Sequence, residues 1–459
     1  MRKVTTFLAA LCTMALLTAV CLATATPAAV ISPKITASDG GECWMFGDNN
    51  RTSKRAFADG GGLTLKNESP DKITGLYLIW DAPVPTNCTI TAQGLPPIQA
   101  QGFLHEWVNL AGSSGDAVTL TWEGPATLCD VIALGGSALP DWVQDWRPAE
   151  GDCDVLVLPT HADDEHLFLG GALAIAAATP GCQVQVAYMV NHNGEYYRPH
   201  ELLNGLWAVG VNRYPVIPQF PDIYSDSLAH AKTIYNEQEI LDYQLSLINR
   251  FHPQMIVGHD LDGEYGHGAH MLNAHTLTQA VEKAAAMPGG WDTPKLYLHL
   301  YAQNPIILNL DTPLTNDNAP RVPLIERTPF EIAQLGFAAH KSQQTYFSVA
   351  QSGPYDCRKL GLYRSTVGAD TKNDLFEHIT LYAHQPEPKP EPEVRPNLTE
   401  TAASEPPEPG NASEKAAYLP AAQNDWLVGF IGSPLAFTLA VTGLLVAVLL
   451  YAIFKNRRI

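Results

Sequence analysis

The strongest constraint on this chain is an alternation of apolar strands and helices that begins at Asp154. The run "DVLVLP" predicts a buried strand, and "LGGALAIAAAT" predicts a helix that ends at Pro180-Gly181. Further along, "VQVAYMV" and "PQMIVG" predict two more strands, with the helical "PHELLNGLWAVG" between them. Strands that alternate with helices form a parallel sheet covered on both faces. The pattern therefore predicts an α/β domain, which we place at residues 152–384.

A different pattern precedes this domain, over residues 31–148. Short strands such as "GLTLKN", "CTITAQG" and "AVTLTWE" are separated by turns that contain Gly and Pro, which is typical of an antiparallel β-sandwich. The stretch "ITGLYLIWDAPVP" resembles the galactose-binding-like jelly rolls that accompany secreted carbohydrate enzymes. Four tryptophans of this region are expected mostly in the core; they are Trp44, Trp80, Trp107 and Trp122. We expect this region to be a spacer with affinity for glycans.

Both termini carry long apolar runs. Arg2 and Lys3 precede an uncharged stretch that leads to Ala23-Thr24-Ala25, which is the layout of a signal peptide over residues 1–25. An uncleaved N-terminal anchor is the alternative. Residues 427–454 are uncharged and basic residues follow them, which predicts a transmembrane helix with a cytoplasmic tail at 455–459.

The segment before the predicted transmembrane helix, residues 385–424, is rich in Pro and Glu. Such a composition cannot bury a core and predicts an extended linker. Leu419-Pro420-Ala421-Ala422 resembles a sortase sorting signal, so a processed C-terminus is an alternative to a retained anchor. We expect a single-pass protein of the cell membrane with the α/β domain outside the cell.

Charge and cysteine content narrow the possible functions. The formal net charge of −19 leaves no basic surface for phosphates and argues against nucleic-acid binding.

Six of the eight cysteines remain after removal of the predicted signal peptide. Cys153 and Cys182 each precede a predicted strand, so they either form a disulfide at one sheet edge or stay as two free buried thiols.

Two polar clusters follow predicted strands of the α/β domain. "THADDEH" covers residues 160–166, and "HDLDGEYGHGAHMLNAH" covers residues 259–275. Ligands bind beyond the carboxyl ends of parallel strands, so both clusters should open onto one crevice. His161, Asp164 and His270 would supply two imidazoles and a carboxylate and leave a fourth position for water. This is the ligand plan of a catalytic Zn²⁺ site.

These clusters carry a family resemblance over about residues 152–384. "THADDEHLFLGG" resembles the (P/A)HPDDE…GG motif of the PIG-L/LmbE-like deacetylases, and "GEYGHGAH" resembles their second zinc motif. "GEYYRPHELLNGLWAVGV", "FPD" at 220–222 and "AAHKSQ" at 338–343 match further family motifs. Ala162 departs from the family, which usually has proline there. The expected architecture is a Rossmann-like, mostly parallel sheet with helices on both faces, preceded by the β-sandwich.

The resemblance implies a role for each matching residue. Zinc would be bound by His161, Asp164 and His270, as the spacing already suggests. Asp163 would be the general base, and His267 would stabilise the oxyanion or protonate the leaving amine. Arg198 and Asp222 match positions that hold sugar hydroxyls in the family.

The remaining polar residues of these motifs are not predicted to bind zinc. Glu165 is expected to fix the loop, and His340 to fix the C-terminal segment of the domain. His166 and His275 are interpreted as ordinary surface or core histidines. His259 matches a family position and either supports the ligands or plays no part in the site.

These features together predict a surface-anchored zinc hydrolase that removes N-acetyl groups from GlcNAc-type sugars of an extracellular glycan. Zinc lowers the pKa of bound water to about 7, so hydroxide is available near neutral pH. Two alternatives stay open: an amidase of a larger amino-sugar conjugate, and a non-catalytic glycan-binding surface protein. The glycan and the oligomeric state do not follow from the sequence.

Overall fold

A computed structural model describes residues 28–48, 52–58, 60–315 and 324–385. The predicted signal peptide, the predicted membrane span, the tail and all but the first residue of the predicted linker lie outside these ranges. Within them, no helix combines the length and the apolar character needed to cross a bilayer.

The N-terminal part consists of two antiparallel sheets of five strands each. Its strands are β1 (Ala29–Ile31), β2 (Lys34–Ala37), β3 (Arg55–Phe57), β4 (Gly62–Lys66), β5 (Gly75–Trp80), β6 (Thr86–Ala92), β7 (Ile98–Gln99), β8 (His105–Asn109), β9 (Ala117–Glu123) and β10 (Ala126–Gly135). One sheet has the order β1-β10-β5-β8, with β3 also paired to β10, and the other has the order β2-β4-β9-β6-β7.

The two antiparallel sheets share one apolar core. Val118, Leu120 and Trp122 of β9 are buried and alternate with more exposed residues, as the sequence pattern indicates. The Trp122 ring lies edge-on to Trp80 of the other sheet, with 5.2 Å between ring centroids. Trp44 is an exception to the expected burial, because 74% of it is exposed.

The C-terminal part contains a six-stranded sheet of the order β12-β11-β13-β14-β16-β15. Its strands are β11 (Val155–Val157), β12 (Val184–Val186), β13 (Met255–Gly258), β14 (Lys295–His299), β15 (Pro305–Ile307) and β16 (Lys359–Ser365). The first four strands in this order are parallel, and β16 and β15 continue the sheet in antiparallel pairs.

Seven α-helices connect and cover these strands in the described residues. They are α1 (Asp164–Leu167), α2 (Gly170–Ala178), α3 (Arg198–Ala208), α4 (Leu228–Ile234), α5 (Glu237–Phe251), α6 (Gly268–Ala286) and α7 (Pro329–Phe337). Short 3₁₀ turns span Glu264–Gly266 and Tyr382–His384. The mixed α/β class is thereby confirmed. Over both parts, however, most strand pairs are antiparallel, because the two N-terminal sheets and the β14-β16-β15 edge all pair in that way.

Paired glycines bring α2 close to its neighbours. A Cβ on Gly171 would lie 2.5 Å from the backbone oxygen of Cys357, and one on Gly170 would lie 3.1 Å from the Ala333 Cβ on α7. The glycines that follow the acidic motif therefore serve helix packing. α1 directly precedes α2 in the chain, so the packing of α2 limits where α1 can lie.

The structure settles the open question of one disulfide and shows how the two parts of the chain meet. Cys153 and Cys182 are both free thiols, so the disulfide left open by the sequence is not formed. The N-terminal sheets pack directly on the α/β part, since Phe103 stacks on Tyr214 at 4.3 Å and the Leu104 N–H donates to the Tyr214 hydroxyl at 3.0 Å.

Candidate metal centre and active site

The two polar clusters lie at the same edge of the six-stranded sheet. Strands β11 and β13 are parallel neighbours in register, with Val157 opposite Val257. The first cluster follows β11 and enters α1, and the second follows β13 and enters α6. Their carboxyl ends therefore open onto one crevice, as the sequence predicts.

Three predicted ligand atoms converge at this edge. The Nδ1 atom of His161 lies 3.1 Å from Oδ2 of Asp164 and 3.1 Å from Nε2 of His270. Nε2 of His270 lies 3.2 Å from the same Oδ2 atom. Donors bound tetrahedrally to one zinc ion at about 2.0–2.2 Å are separated by about 3.3–3.5 Å. The three residues thus fit the metal that the sequence implies, and all three are buried.

Local hydrogen bonds orient these donors. Asp164 is the first residue of α1, and its Oδ2 atom accepts from the His161 backbone N–H at 2.7 Å. Burial alone raises the pKa of Asp164, but the facing His270 and His161 rings outweigh it and hold that pKa well below its ordinary value. The carboxylate is therefore ionised, as a metal ligand must be.

A buried carboxylate that was not assigned from the sequence supports the centre from behind. Glu264 accepts from Nδ1 of His270 at 2.7 Å, from Nδ1 of His299 at 2.7 Å and from Nδ1 of His259 at 2.8 Å. Burial raises the pKa of Glu264, yet the adjacent histidines hold it well below its ordinary value. The bond to His270 turns Nε2 of that ring toward the other two donors, as carboxylates do for metal-binding histidines.

His259 belongs to this supporting layer. Its Nε2 atom accepts from the Thr160 backbone N–H at 2.9 Å, so the ring proton is on Nδ1 and is donated to Glu264. The His259 ring stacks on His270 with 4.1 Å between centroids. It therefore holds both the first polar cluster and a ligand ring in place.

Asp163 lies beside the convergent donors in an unusual backbone conformation. Its φ is 126°, a value that L-residues rarely adopt, and its N–H donates to Oε2 of Glu165 at 2.8 Å. Its Oδ1 atom is 3.3 Å from a guanidinium nitrogen of Arg198. Burial, followed by the charge of Asp164, raises the pKa of Asp163 well above its ordinary value. A carboxylate with a raised pKa is better suited to accept a proton.

His267 forms the N-cap of α6 and faces the same space. Its Nδ1 atom accepts from the Ala269 N–H at 3.2 Å, which leaves Nε2 as the nitrogen that carries the proton. Burial and the nearby His161 and His270 rings lower the pKa of His267 to about 3. A neutral His267 ring with this hydrogen bond donates through Nε2–H, which suits the predicted stabilisation of an oxyanion. Protonation of the leaving amine by His267 stays a prediction.

The two predicted sugar-binding residues lie at the same place. Arg198, at the start of α3, donates to the Ala162 carbonyl as well as facing Asp163. Asp222 lies 3.4 Å from Nε2 of His161 and 3.3 Å from Nδ1 of His192. Burial raises the pKa of Asp222, but these histidines outweigh it and lower the pKa to about 2. Asp222 is therefore an anion that faces the His161 ring.

A cleft of about 220 Å³ joins these groups. Six of the seven predicted site residues line it, and the seventh, His270, is fully buried beneath. Its other lining residues are Leu167, Phe168, Tyr224, Tyr265, Gln343 and Phe347. Tyr224 and Tyr265 are exposed at its mouth, so aromatic faces flank the polar floor.

His192 and His299 were also not assigned from the sequence. His192 follows β12, and its Nε2 atom accepts from the Ala162 N–H at 3.0 Å. His299 is the last residue of β14 and binds Glu264. With His161 after β11 and His259 after β13, each of the four parallel strands delivers a histidine at its carboxyl end. A histidine after each predicted parallel strand is the sequence pattern that could have indicated His192 and His299 as residues near the site.

The remaining histidines separate into two groups. His166 and His340 are fully buried beside Glu165, on the inner side of α1, and line no part of the cleft. His275 is half-buried on α6 and is likewise absent from the cleft lining. None of the three joins His161, Asp164 and His270.

Comparison with known proteins agrees with these motifs. Residues 156–281 match the family model PIG-L, described as GlcNAc-PI de-N-acetylase. The chain is 27% identical over 241 residues to a 1D-myo-inositol 2-acetamido-2-deoxy-alpha-D-glucopyranoside deacetylase of Mycolicibacterium gilvum, covering 43% of this chain and 82% of the relative. The same enzyme of Mycobacterium sp. (strain KMS) is 27% identical over 172 residues, covering 31% of this chain and 53% of the relative.

Two solved structures show weaker similarity. A conserved protein of Thermus thermophilus matches 42% of this chain and 80% of its own, at 17% identity and a TM-score of 0.31. Chitosan-binding module 1 of a chitosanase/glucanase from Paenibacillus sp. matches 22% of this chain and 95% of its own, at 14% identity and a TM-score of 0.19. Neither similarity is high enough to show a shared fold.

Proposed function

We propose that this chain, whose residues 156–281 match the PIG-L family model, is a zinc-dependent hydrolase that removes the N-acetyl group from a GlcNAc-type sugar. One observation carries the proposal: the donor atoms of His161, Asp164 and His270 lie 3.1–3.2 Å apart at the base of a cleft. The deacetylase names of the relatives in the comparison support it.

Zinc held by these three residues would lower the pKa of a bound water and polarise the acetamide carbonyl. Asp163 would take the proton of the attacking water, since its carboxylate is unligated and its pKa is raised. The water oxygen bonds to the carbonyl carbon, the C–N bond breaks, and the proton passes to the leaving nitrogen. Acetate and a free amino sugar are the products.

His267 and the sugar-binding residues complete this mechanism. His267 lines the cleft, and its Nε2–H would donate to the developing oxyanion. Arg198 and Asp222 would hold the sugar hydroxyls, because both line the cleft and offer complementary donors and acceptors. Arg198 would also keep the Asp163 carboxylate in position.

The test is acetate release by the purified full-length chain from GlcNAc oligomers, N-acetylglucosaminyl glycolipids and peptidoglycan fragments. We expect turnover of at least one class, with kcat lowered by about 10²–10⁴-fold in Asp163→Asn. Release of a longer acyl group but not of acetate would favour the amidase alternative. Binding of these glycans without any hydrolysis would favour a non-catalytic surface protein.

We further propose that the chain is anchored in the cell membrane with the catalytic domain outside. The uncharged residues 427–454 and the basic residues after them support this topology. Truncation after Asn424 should release the protein into the medium. If the truncated chain still sediments with membranes, residues 1–25 act as an uncleaved anchor.

A further inference from the structure

A second group of metal-type side chains lies behind the catalytic loop. Glu165, His166 and His340, which we name the rear cluster, are all fully buried. Oε1 of Glu165 is 3.0 Å from Nε2 of His340 and 3.4 Å from Nε2 of His166. One donor atom from each residue lies within 4.8 Å of the other two.

Several polar atoms of the rear cluster lack hydrogen-bond partners within the described residues. These atoms are Oε1 of Glu165 and both ring nitrogens of His166 and His340. The Nε2 atoms of both rings lie at ion-pair distance from the carboxylate oxygen, yet none of these atoms has a hydrogen-bond partner by donor geometry in the described part of the chain. Polar atoms that lie within 4.8 Å of one another without a hydrogen bond between them can all contact one third partner placed among them. Burial of unpaired polar atoms is unfavourable, so this point should hold a partner.

Glycines on two helices make room for this arrangement. A Cβ on Gly205 of α3 would lie 2.7 Å from Nε2 of His166 and 2.8 Å from Nε2 of His340. A Cβ on Gly336 of α7 would lie 2.2 Å from Cε1 of His166. Both imidazoles therefore face the backbone of a neighbouring helix where no side chain can be accommodated.

We infer that the rear cluster binds a divalent transition-metal ion of the zinc class, as a site separate from the catalytic centre. Two imidazoles and one carboxylate are ligands that zinc accepts. The separations of 3.0 and 3.4 Å are close to the spacing of about 3.3–3.5 Å for donors on one tetrahedral zinc ion. A single cation at the common point satisfies the carboxylate and one nitrogen of each ring at once.

The position of the rear cluster gives this ion a structural role. The second carboxylate oxygen of Glu165 accepts from the N–H of Asp163, which has the strained φ of 126°. His340 follows α7, so the ion ties the α1 loop to the C-terminal segment of the domain. The inference does not depend on the reaction proposed above.

Metal content of the full-length chain tests the inference. We expect the wild type, loaded with Zn²⁺ and dialysed, to retain two equivalents by inductively coupled plasma mass spectrometry. His270→Asn, on α6 and away from the rear cluster, should retain one. His340→Asn should also retain one, the double variant none, and the control His275→Asn two.

One equivalent in the wild type, or none in His270→Asn, would overturn the second site and leave a buried water as the partner of the rear cluster. Neither measurement needs a substitution in the rear cluster, so the test survives if His340→Asn does not fold. Cobalt provides a second readout: Co²⁺-loaded His270→Asn should keep the visible absorption of a tetrahedral site, and its absence would contradict the inference.

Discussion

At the scale of single residues, the adjacent acids Asp163 and Asp164 have opposite environments. Asp164 faces two imidazoles and its pKa lies well below the ordinary value, whereas burial and the charge of Asp164 raise the pKa of Asp163 well above it. The carboxylate of Asp163 faces Arg198, whereas that of Asp164 faces His161 and His270. One carboxylate is thus suited to bind a metal and the other to accept a proton.

This difference predicts distinct effects for identical substitutions. Asp163→Asn should keep the fold and the catalytic zinc but lower kcat by about 10²–10⁴-fold, since the proton acceptor is lost. Asp164→Asn should instead lose one equivalent of zinc, with activity partly restored by added Zn²⁺. Steady-state kinetics and metal analysis on both variants check this. Normal turnover by zinc-loaded Asp163→Asn would exclude Asp163 as the general base.

A second residue-scale prediction concerns Glu264. Glu264→Gln should weaken zinc binding at the catalytic centre by about 10–100-fold, because the carboxylate that orients His270 is lost. Competition with a chromophoric chelator measures the affinity. Glu282→Gln, on an exposed position of α6, is the matched control and should bind zinc as the wild type does. Equal affinities for the two variants would show that Glu264 does not orient the ligand.

At the scale of elements, the site depends on how closely α2 packs. Gly171→Ala would place a Cβ 2.5 Å from a backbone oxygen, which a rotamer change cannot relieve. We expect a net loss of about 1–3 kcal/mol in the free energy of unfolding, despite the better helix propensity of alanine.

Urea unfolding of three variants tests this packing. In Gly170→Ala the nearest contact of the added Cβ is at 3.1 Å, so the free energy of unfolding should fall less than in Gly171→Ala. Gly194→Ala has no atom within 4 Å of the added Cβ and should be close to neutral. If Gly171→Ala is as stable as Gly194→Ala, the close approach of α2 is not required.

At the scale of the whole molecule, the N-terminal sheets are joined to the α/β part through buried contacts. The Tyr214 hydroxyl accepts the Leu104 N–H, and its ring stacks on Phe103. Tyr214→Phe keeps the ring but leaves the N–H unpaired, which should cost about 1–3 kcal/mol of unfolding free energy.

Calorimetry of the full-length chain measures this coupling. Tyr214→Phe should lower the melting temperature, and the exposed control Tyr346→Phe should not change it. Equal melting temperatures for the two variants would mean that the junction does not stabilise the molecule.

The sequence by itself determined the main elements and the residues that converge at the site. The alternation of strands and helices, the motif at 160–166 and the motif at 259–275 were sufficient to name His161, Asp164 and His270, whose donors do converge. The elements and the convergence of these donors could be predicted because strand periodicity and the position of polar loops are local properties of a chain.

Only the tertiary structure decided how distant residues support the site. Glu264 binds His299 from β14, and Glu165 lies beside His340 from beyond α7. The antiparallel return of β16 and the free thiols of Cys153 and Cys182 were likewise not predictable. Each depends on the approach of segments that are far apart in the chain, and no local pattern encodes the distance between two such side chains.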